Sequence, residues 1–137
     1  LKRIEVENDF SGAGLTVLMN KEKFLLALFN ILINAKDAIL AAERENGLIG
    51  ISADRVFIPR AENNFIRIRI SDNGTGIDEK IITRIFEPYF TTKGDKGTGL
   101  GLTTVKEIIE ENSGWIEIDA KKGVGTTFIA FLPQHRG

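Results

Sequence analysis

Cysteine is absent from the 137 residues, which removes disulfides, thiolate metal sites and thiol nucleophiles together and fits a reducing compartment. A surplus of either charge is absent too: 18 Lys and Arg stand against 19 Asp and Glu, for a formal net charge of -1. No global basic field exists to draw in a nucleic-acid backbone or an anionic membrane, so any anion must be held by local groups. The most apolar stretch, Phe24 to Leu40, is interrupted by Asn30, Asn34, Lys36 and Asp37, which argues against a membrane span. No signal-peptide pattern opens the sequence, and a cytoplasmic setting is expected. Internal repeats are lacking, and the length suits one domain over residues 1–137 with one packed core.

What is present begins with short alternating runs. Lys2 to Glu7 and Leu15 to Met19 read as two strands about the Gly12-Ala13-Gly14 turn. Asn20 is a candidate N-cap for a long helix from about Lys21 to Arg44, closed near Asn46-Gly47. Strand patterns return at Leu48 to Phe57 and at Phe65 to Ser71, the second alternating as Ile66, Arg67, Ile68, Arg69, Ile70. From Asp72 to Gly101 the texture turns to glycine, threonine and charge, with a short helical piece near Glu79 to Phe86. Leu102, Val105, Ile108 and Ile109 resume helical spacing, and Ser113-Gly114 stops it. Two strands, Trp115 to Ala120 and Thr126 to Leu132, close the chain around the turn at Lys121 to Gly125. Strands and helices mix without strict alternation, so the expected fold is α/β: a two-layer sandwich whose mixed sheet is covered on one face by helices.

On the first long helix, 100° per residue puts Leu25, Leu28, Leu32, Ala35 and Ile39 on one side, read as the core face. Asn30, Asn34 and Asp37 form a narrow stripe opposite. A solvated helix back usually carries Lys and Glu, whereas this stripe is shared with Ala27, Ala38 and Ala41 and flanked by Ile31 and Ile33. It reads as a second contact surface, small and polar at its middle. A carboxamide oxygen is a hard neutral donor suited to Mg²⁺, a cation usually shared with substrate phosphates, and Asn34 is the candidate ligand.

Two glycine clusters follow. Asp72-Asn73-Gly74-Thr75-Gly76 ends the Ile66-Ile68-Ile70 strand, and the period of two carries Asp72 to the isoleucine side, at the edge of the apolar layer. The spaced acidic ligands of a calcium loop are missing, which leaves a simple turn or a functional carboxylate. In the functional reading, Asp72 accepts a hydrogen bond from the exocyclic amine of adenine and repels the carbonyl that guanine presents there. Gly97-Thr98-Gly99-Leu100-Gly101-Leu102 opens the later helix, where free amides and the helix dipole favour phosphate. It is neither a dinucleotide fingerprint nor a P-loop, because the third glycine comes one residue early and no Lys-Ser or Lys-Thr pair follows. A mobile glycine-rich lid remains, with Lys93 and Lys96 able to approach phosphate oxygens or to stay solvated.

Together and in this order, these segments resemble the catalytic domain of bacterial sensor histidine kinases, within the wider ATPase family of gyrase, mismatch-repair and chaperone ATPases. Asn30 to Ala38 is similar to the family's N box, and Asp72 to Ile77 to its first glycine box. Ile85-Phe86-Glu87-Pro88-Tyr89-Phe90-Thr91-Thr92-Lys93 resembles the F box and Gly97 to Leu102 the second glycine box, while Gly123 to Phe128 with Leu132-Pro133 matches the closing strands. The resemblance implies a Bergerat-type ATP-binding fold and the cofactors ATP and Mg²⁺. It implies that Asn34 ligates the metal, that Asp72 reads adenine and that Thr126 supports the same base edge. Gly74, Gly76, Gly99 and Gly101 would let backbone approach the nucleotide, and Phe86 and Phe90 would anchor the lid. Asp37, Ile77, Thr92, Lys93, Gly97, Thr98, Leu100 and Leu102 complete the implied nucleotide contacts, with Asn30, Asn34 and Lys93 as the implied catalytic set. The Asp37-Ala38 ending of the N box is associated with the nitrogen-regulatory type of kinase.

Gyrase and chaperone relatives normally carry a glutamate four positions before the metal-binding asparagine, where this chain has Asn30. An amide cannot take a proton from water at neutral pH, so the arrangement favours holding ATP for another nucleophile over hydrolysis. A hydrolytic clamp and an anti-sigma-type serine kinase are the alternatives on the same scaffold. The one histidine, His135, lies in the tail after Pro133 without helical surroundings and reads as incidental. The implied partners are therefore a separate dimerisation and phosphoacceptor domain and, through the full kinase, a response regulator. Neither nucleic acid nor direct membrane insertion is expected, and any membrane anchor belongs to other parts of the parent.

Overall fold

The computed structural model describes residues 3–10, 12, 14–88, 90 and 101–135. Five strands, β1 (Arg3–Phe10), β2 (Asn46–Ile58), β3 (Asn63–Asp72), β4 (Trp115–Lys121) and β5 (Gly125–Pro133), form one sheet in the order β1-β2-β3-β5-β4. β1 and β2 are parallel and joined through helix α1 (Lys21–Ala42), while every other pairing is antiparallel. Helix α2 (Gly101–Glu111) lies beside α1. Alternate residues Ile68 and Ile70 of β3, Phe128 and Ala130 of β5 and Ile116 and Ile118 of β4 share one core with both helices. The mixed sheet is thus covered on one face, as the sequence pattern predicts.

Asn20 caps α1 by accepting from the Lys23 amide at 3.0 Å. The helix ends at Ala42, two residues before the predicted Arg44, because Glu43 turns left-handed at φ 56° and its N–H bonds Leu40 O. Arg44 is thereby released from the helix.

The predicted core face of α1 needs correction. Ala27, Ile31, Ala35 and Ile39 are the buried residues, whereas Leu25 is 49% exposed. The helix is turned by about 60° from the expected orientation at 100° per residue. Burying an isoleucine is worth roughly 1.5–3 kcal/mol, and the small Ala27 and Ala35 that alternate with Ile31 and Ile39 let the helix axis approach the sheet. Two branched knobs with alanine gaps therefore outweigh the leucine row. By length and composition alone Lys21–Ala42 could cross a membrane, but its buried stripe packs on the sheet as a core helix.

One other expectation fails. Leu15 to Met19 forms no strand; it runs alongside the end of β5, where the His135 N–H bonds Thr16 O at 2.7 Å, and puts Val17 and Met19 against the core. The short helical piece expected near Glu79 to Phe86 is a single 3-10 turn, Ile82–Arg84. The opposite sheet face carries its own small layer, in which Trp115 stacks on Phe131 at 4.7 Å and Arg67 grips Asp54 with two hydrogen bonds of 2.9 and 2.6 Å.

Candidate functional site

The site is built where β3 ends and β5 begins. Asp72 and Thr126 are register partners there, and both follow the alternation that turns Ile70 and Phe128 towards the helices. Thr126 is 5% exposed and Asp72 is half-buried. Burial pushes the Asp72 carboxyl above its ordinary range, and the backbone N–H groups of Gly74, at 2.8 Å, and Thr126 pull it partly back. The charged form is thus held at a cost to the fold.

That cost sets a pH dependence. A carboxyl whose folded-state pKa lies above its unfolded value contributes stability below the unfolded pKa and loses it as pH rises through the folded one. Asp72→Asn keeps an accepting oxygen without the charge, so it is expected to raise the melting temperature at pH 7 and to flatten the stability profile above about pH 4. Thermal melts of both proteins from pH 3 to 8 check this; superimposable profiles would assign the pH dependence elsewhere. Asp54 acts in the opposite sense, since its hydrogen bond with Arg67 lowers its pKa and that stability is lost on acidification.

The loop after Asp72 is fixed on every side. The Asn73 side chain accepts from Leu48 N at 2.8 Å and donates to Asn46 O at 3.0 Å, which extends the pairing with β2. Thr75 N bonds Ala38 O at 3.2 Å, and a Cβ on Gly74 would lie 2.5 Å from the Ala38 carbonyl carbon, so the loop sits directly on α1. Gly76 has φ +68°, and a side chain there would overlap the Lys121 carbonyl oxygen. Gly123 N bonds Thr75 O at 2.7 Å and ties in the β4–β5 turn.

From that loop the stripe runs back along α1 through Ala38, Asn34 and Asn30, a length of about 12 Å at 1.5 Å per residue. Asn34 Nδ2 donates to Asn30 O at 3.2 Å, which commits the amide nitrogen to the helix and reserves the carbonyl oxygen for another partner. At the far end, a Cβ on Gly101 would stand 3.3 Å from Asn30 Oδ1, so the first turn of α2 faces the stripe. Asp37 pairs with Lys36 at 3.4 Å. The stripe therefore has a carboxylate near one end and a helix N-terminus near the other, an order suited to a ligand that is a hydrogen-bond donor at one end and an anion at the other.

Ile77, Phe86, Phe90 and Leu102 pack against the edge of the core. Phe86 meets Phe128 edge-on at 6.5 Å, and its carbonyl accepts from Thr103 Oγ1 at 2.9 Å. Thr92, Lys93, Lys96, Gly97, Thr98, Gly99 and Leu100 lie outside the described residues. Among the described residues no group of three or more His, Cys, Asp or Glu side chains is placed to hold a metal. Arg44 and Thr103 are contacts that local sequence does not reveal, because their partners lie 29, 79 and 17 residues away.

Residues 19–136 match the profile described as histidine kinase-, DNA gyrase B- and HSP90-like ATPase. The chain is 37% identical over 108 residues to the probable C4-dicarboxylate sensor kinase of Halalkalibacterium halodurans, covering 79% of this chain and 19% of that protein. It is 47% identical over 103 residues to the nitrogen regulation protein NtrY of Azorhizobium caulinodans, covering 72% and 12%. Among solved structures, the nucleotide-free catalytic domain of histidine kinase ThkA superposes with a TM-score of 0.75 and 30% identity, covering 96% of this chain and 80% of that one. The chain thus spans about a fifth or less of the curated relatives named here.

Proposed function

The chain belongs to the histidine kinase-, DNA gyrase B- and HSP90-like ATPase family, as a catalytic domain of the sensor histidine kinase kind, and from that premise we propose that it binds Mg-ATP and passes the γ-phosphoryl group to a histidine on a separate dimerisation and phosphoacceptor domain. The observation that carries this reading is the pairing of half-buried Asp72 with buried Thr126 at one end of a polar stripe on α1 whose other end faces the start of α2.

Asp72 accepts from the adenine amine and Thr126 supports the same edge. Asp72→Asn therefore exchanges a stability gain for a loss of binding, about tenfold or more for ATP, with weaker rejection of GTP. Gly74 and Gly76 let the loop close against the Ala38 backbone and the Lys121 carbonyl, which brings loop backbone beside the nucleotide, while Gly101 does the same for the first turn of α2 beside Asn30. Ile77, Phe86, Phe90 and Leu102 form the apolar walls, and Asp37 lies along the stripe. Lys93 and the segment Gly97 to Leu100, with Thr92, serve the phosphates by their place in the sequence. The donor set fits Mg²⁺, since Asn34 offers a neutral carboxamide oxygen and the phosphates supply the rest. Mg²⁺ would neutralise charge on the β- and γ-phosphates as the phosphoryl group leaves.

Asn30 stands where a hydrolytic relative carries a proton acceptor, and an amide cannot deprotonate water. The chain then positions ATP until an imidazole nitrogen attacks in line and ADP departs. The Asp37-Ala38 ending and the identity with NtrY support a nitrogen-regulatory subtype, and a response regulator downstream of the full kinase completes the scheme. Incubating the chain with labelled ATP and an acceptor domain tests it: label on histidine supports the proposal, whereas steady phosphate release without acceptor supports a hydrolytic clamp instead.

A further inference from the structure

Arg44 leaves α1 just past the left-handed Glu43 and reaches two separate segments. Its Nε donates to Asn73 O at 2.9 Å and its Nη2 to Gly123 O at 2.6 Å. Asn73 follows Asp72 directly, and Gly123 lies in the turn that leads into Thr126. The two backbones are in contact as well, since Gly123 N bonds Thr75 O at 2.7 Å and a Cβ on Gly125 would overlap the Asp72 carbonyl oxygen. Arg44 therefore joins the helix end to both backbones that carry the paired Asp72 and Thr126.

The geometry points to Arg44 as a positioning residue for base selection, an inference that rests on the reading of Asp72 as the adenine-recognising carboxylate. A planar guanidinium suits the task because it presents two N–H groups in fixed relative directions, whereas an ammonium is a single point on a flexible stem. Holding Asn73 O and Gly123 O at once fixes the carboxylate of Asp72 relative to the hydroxyl of Thr126. A carboxylate held in one place rejects the guanine carbonyl; one free to tilt away rejects it less. Arg44 touches no nucleotide in this scheme and acts only through these two backbone carbonyls.

A general loosening and a loss of positioning have different signatures. If a substitution only lowers the fraction of binding-competent molecules, every nucleotide loses affinity by the same factor. If it releases Asp72, ATP loses more than GTP. The test measures ATP, ADP and GTP affinities of the chain by displacement of a fluorescent ATP analogue, with and without Mg²⁺. Arg44→Ala is expected to weaken ATP and ADP about tenfold, GTP by about threefold or less, and to do so equally with and without the metal. Arg44→Lys is expected to restore part of the ATP preference, because one ammonium can hold only one of the two carbonyls at a time.

Equal losses for ATP and GTP, or no loss for either, would overturn the positioning role and leave the adenine reading intact. Should Arg44→Ala fail to fold, Arg44→Lys alone decides: a reduced ATP-to-GTP ratio supports the inference and an unchanged ratio overturns it. If the unsubstituted chain shows no preference for ATP, the reading of Asp72 fails, and this inference with it.

Discussion

Asn34→Ala is expected to leave ATP binding within about tenfold of the unsubstituted chain while phosphoryl transfer to an acceptor histidine falls by about 10²–10³-fold, the range seen when a single group that stabilises transition-state charge is removed. Folding cannot account for such a loss. Alanine is the better helix former by up to about 0.7 kcal/mol, and the bond from Asn34 Nδ2 to Asn30 O is worth about 1 kcal/mol, so the two nearly cancel. What disappears is the carboxamide oxygen proposed for Mg²⁺. Parallel measurements of nucleotide affinity and labelled transfer separate the effects, and full transfer in the variant would remove Asn34 from the metal's surroundings.

Gly76→Ala is expected to be the most damaging single change to the site's framework. At φ +68° a Cβ costs about 1–2 kcal/mol, and here it would also strike the Lys121 carbonyl oxygen, a backbone atom that cannot swing aside. Overpacking of that kind adds about 1–3 kcal/mol, and the sum is a large part of an ordinary domain's stability of about 5–15 kcal/mol. A fall in melting temperature of about 10 °C or more should accompany loss of ATP binding. Gly50→Ala is the control, since nothing lies within 4 Å of a Cβ at that central β2 position, and it should melt at or above the starting temperature. Equal melting of the two variants would mean that the contact between the Gly76 loop and the β4–β5 turn is not tight.

How far the sequence could be read depended on the range of the interaction. Asp72 was legible because a period of two over Ile66, Ile68 and Ile70 carries a side chain to a known face, and Asn20 because a cap acts on a residue three positions away. The orientation of α1 was not, since it is settled by how Ile31 and Ile39 fit the sheet, and a leucine row at Leu25, Leu28 and Leu32 is equally periodic. Leu15 to Met19 alternates like a strand but meets the chain only just past the end of β5, at His135, and completes no ladder there. Arg44 gave no local signal at all, as both its acceptors are backbone carbonyls brought to it by the fold.

A crystal structure of the chain grown with Mg²⁺ and a non-hydrolysable ATP analogue addresses the proposed site most directly. The expected density has the adenine amine on the Asp72 carboxylate beside Thr126, the metal on Asn34 Oδ1 and the phosphates near the first turn of α2. A nucleotide bound with its base away from Asp72, or a metal without Asn34, would contradict it.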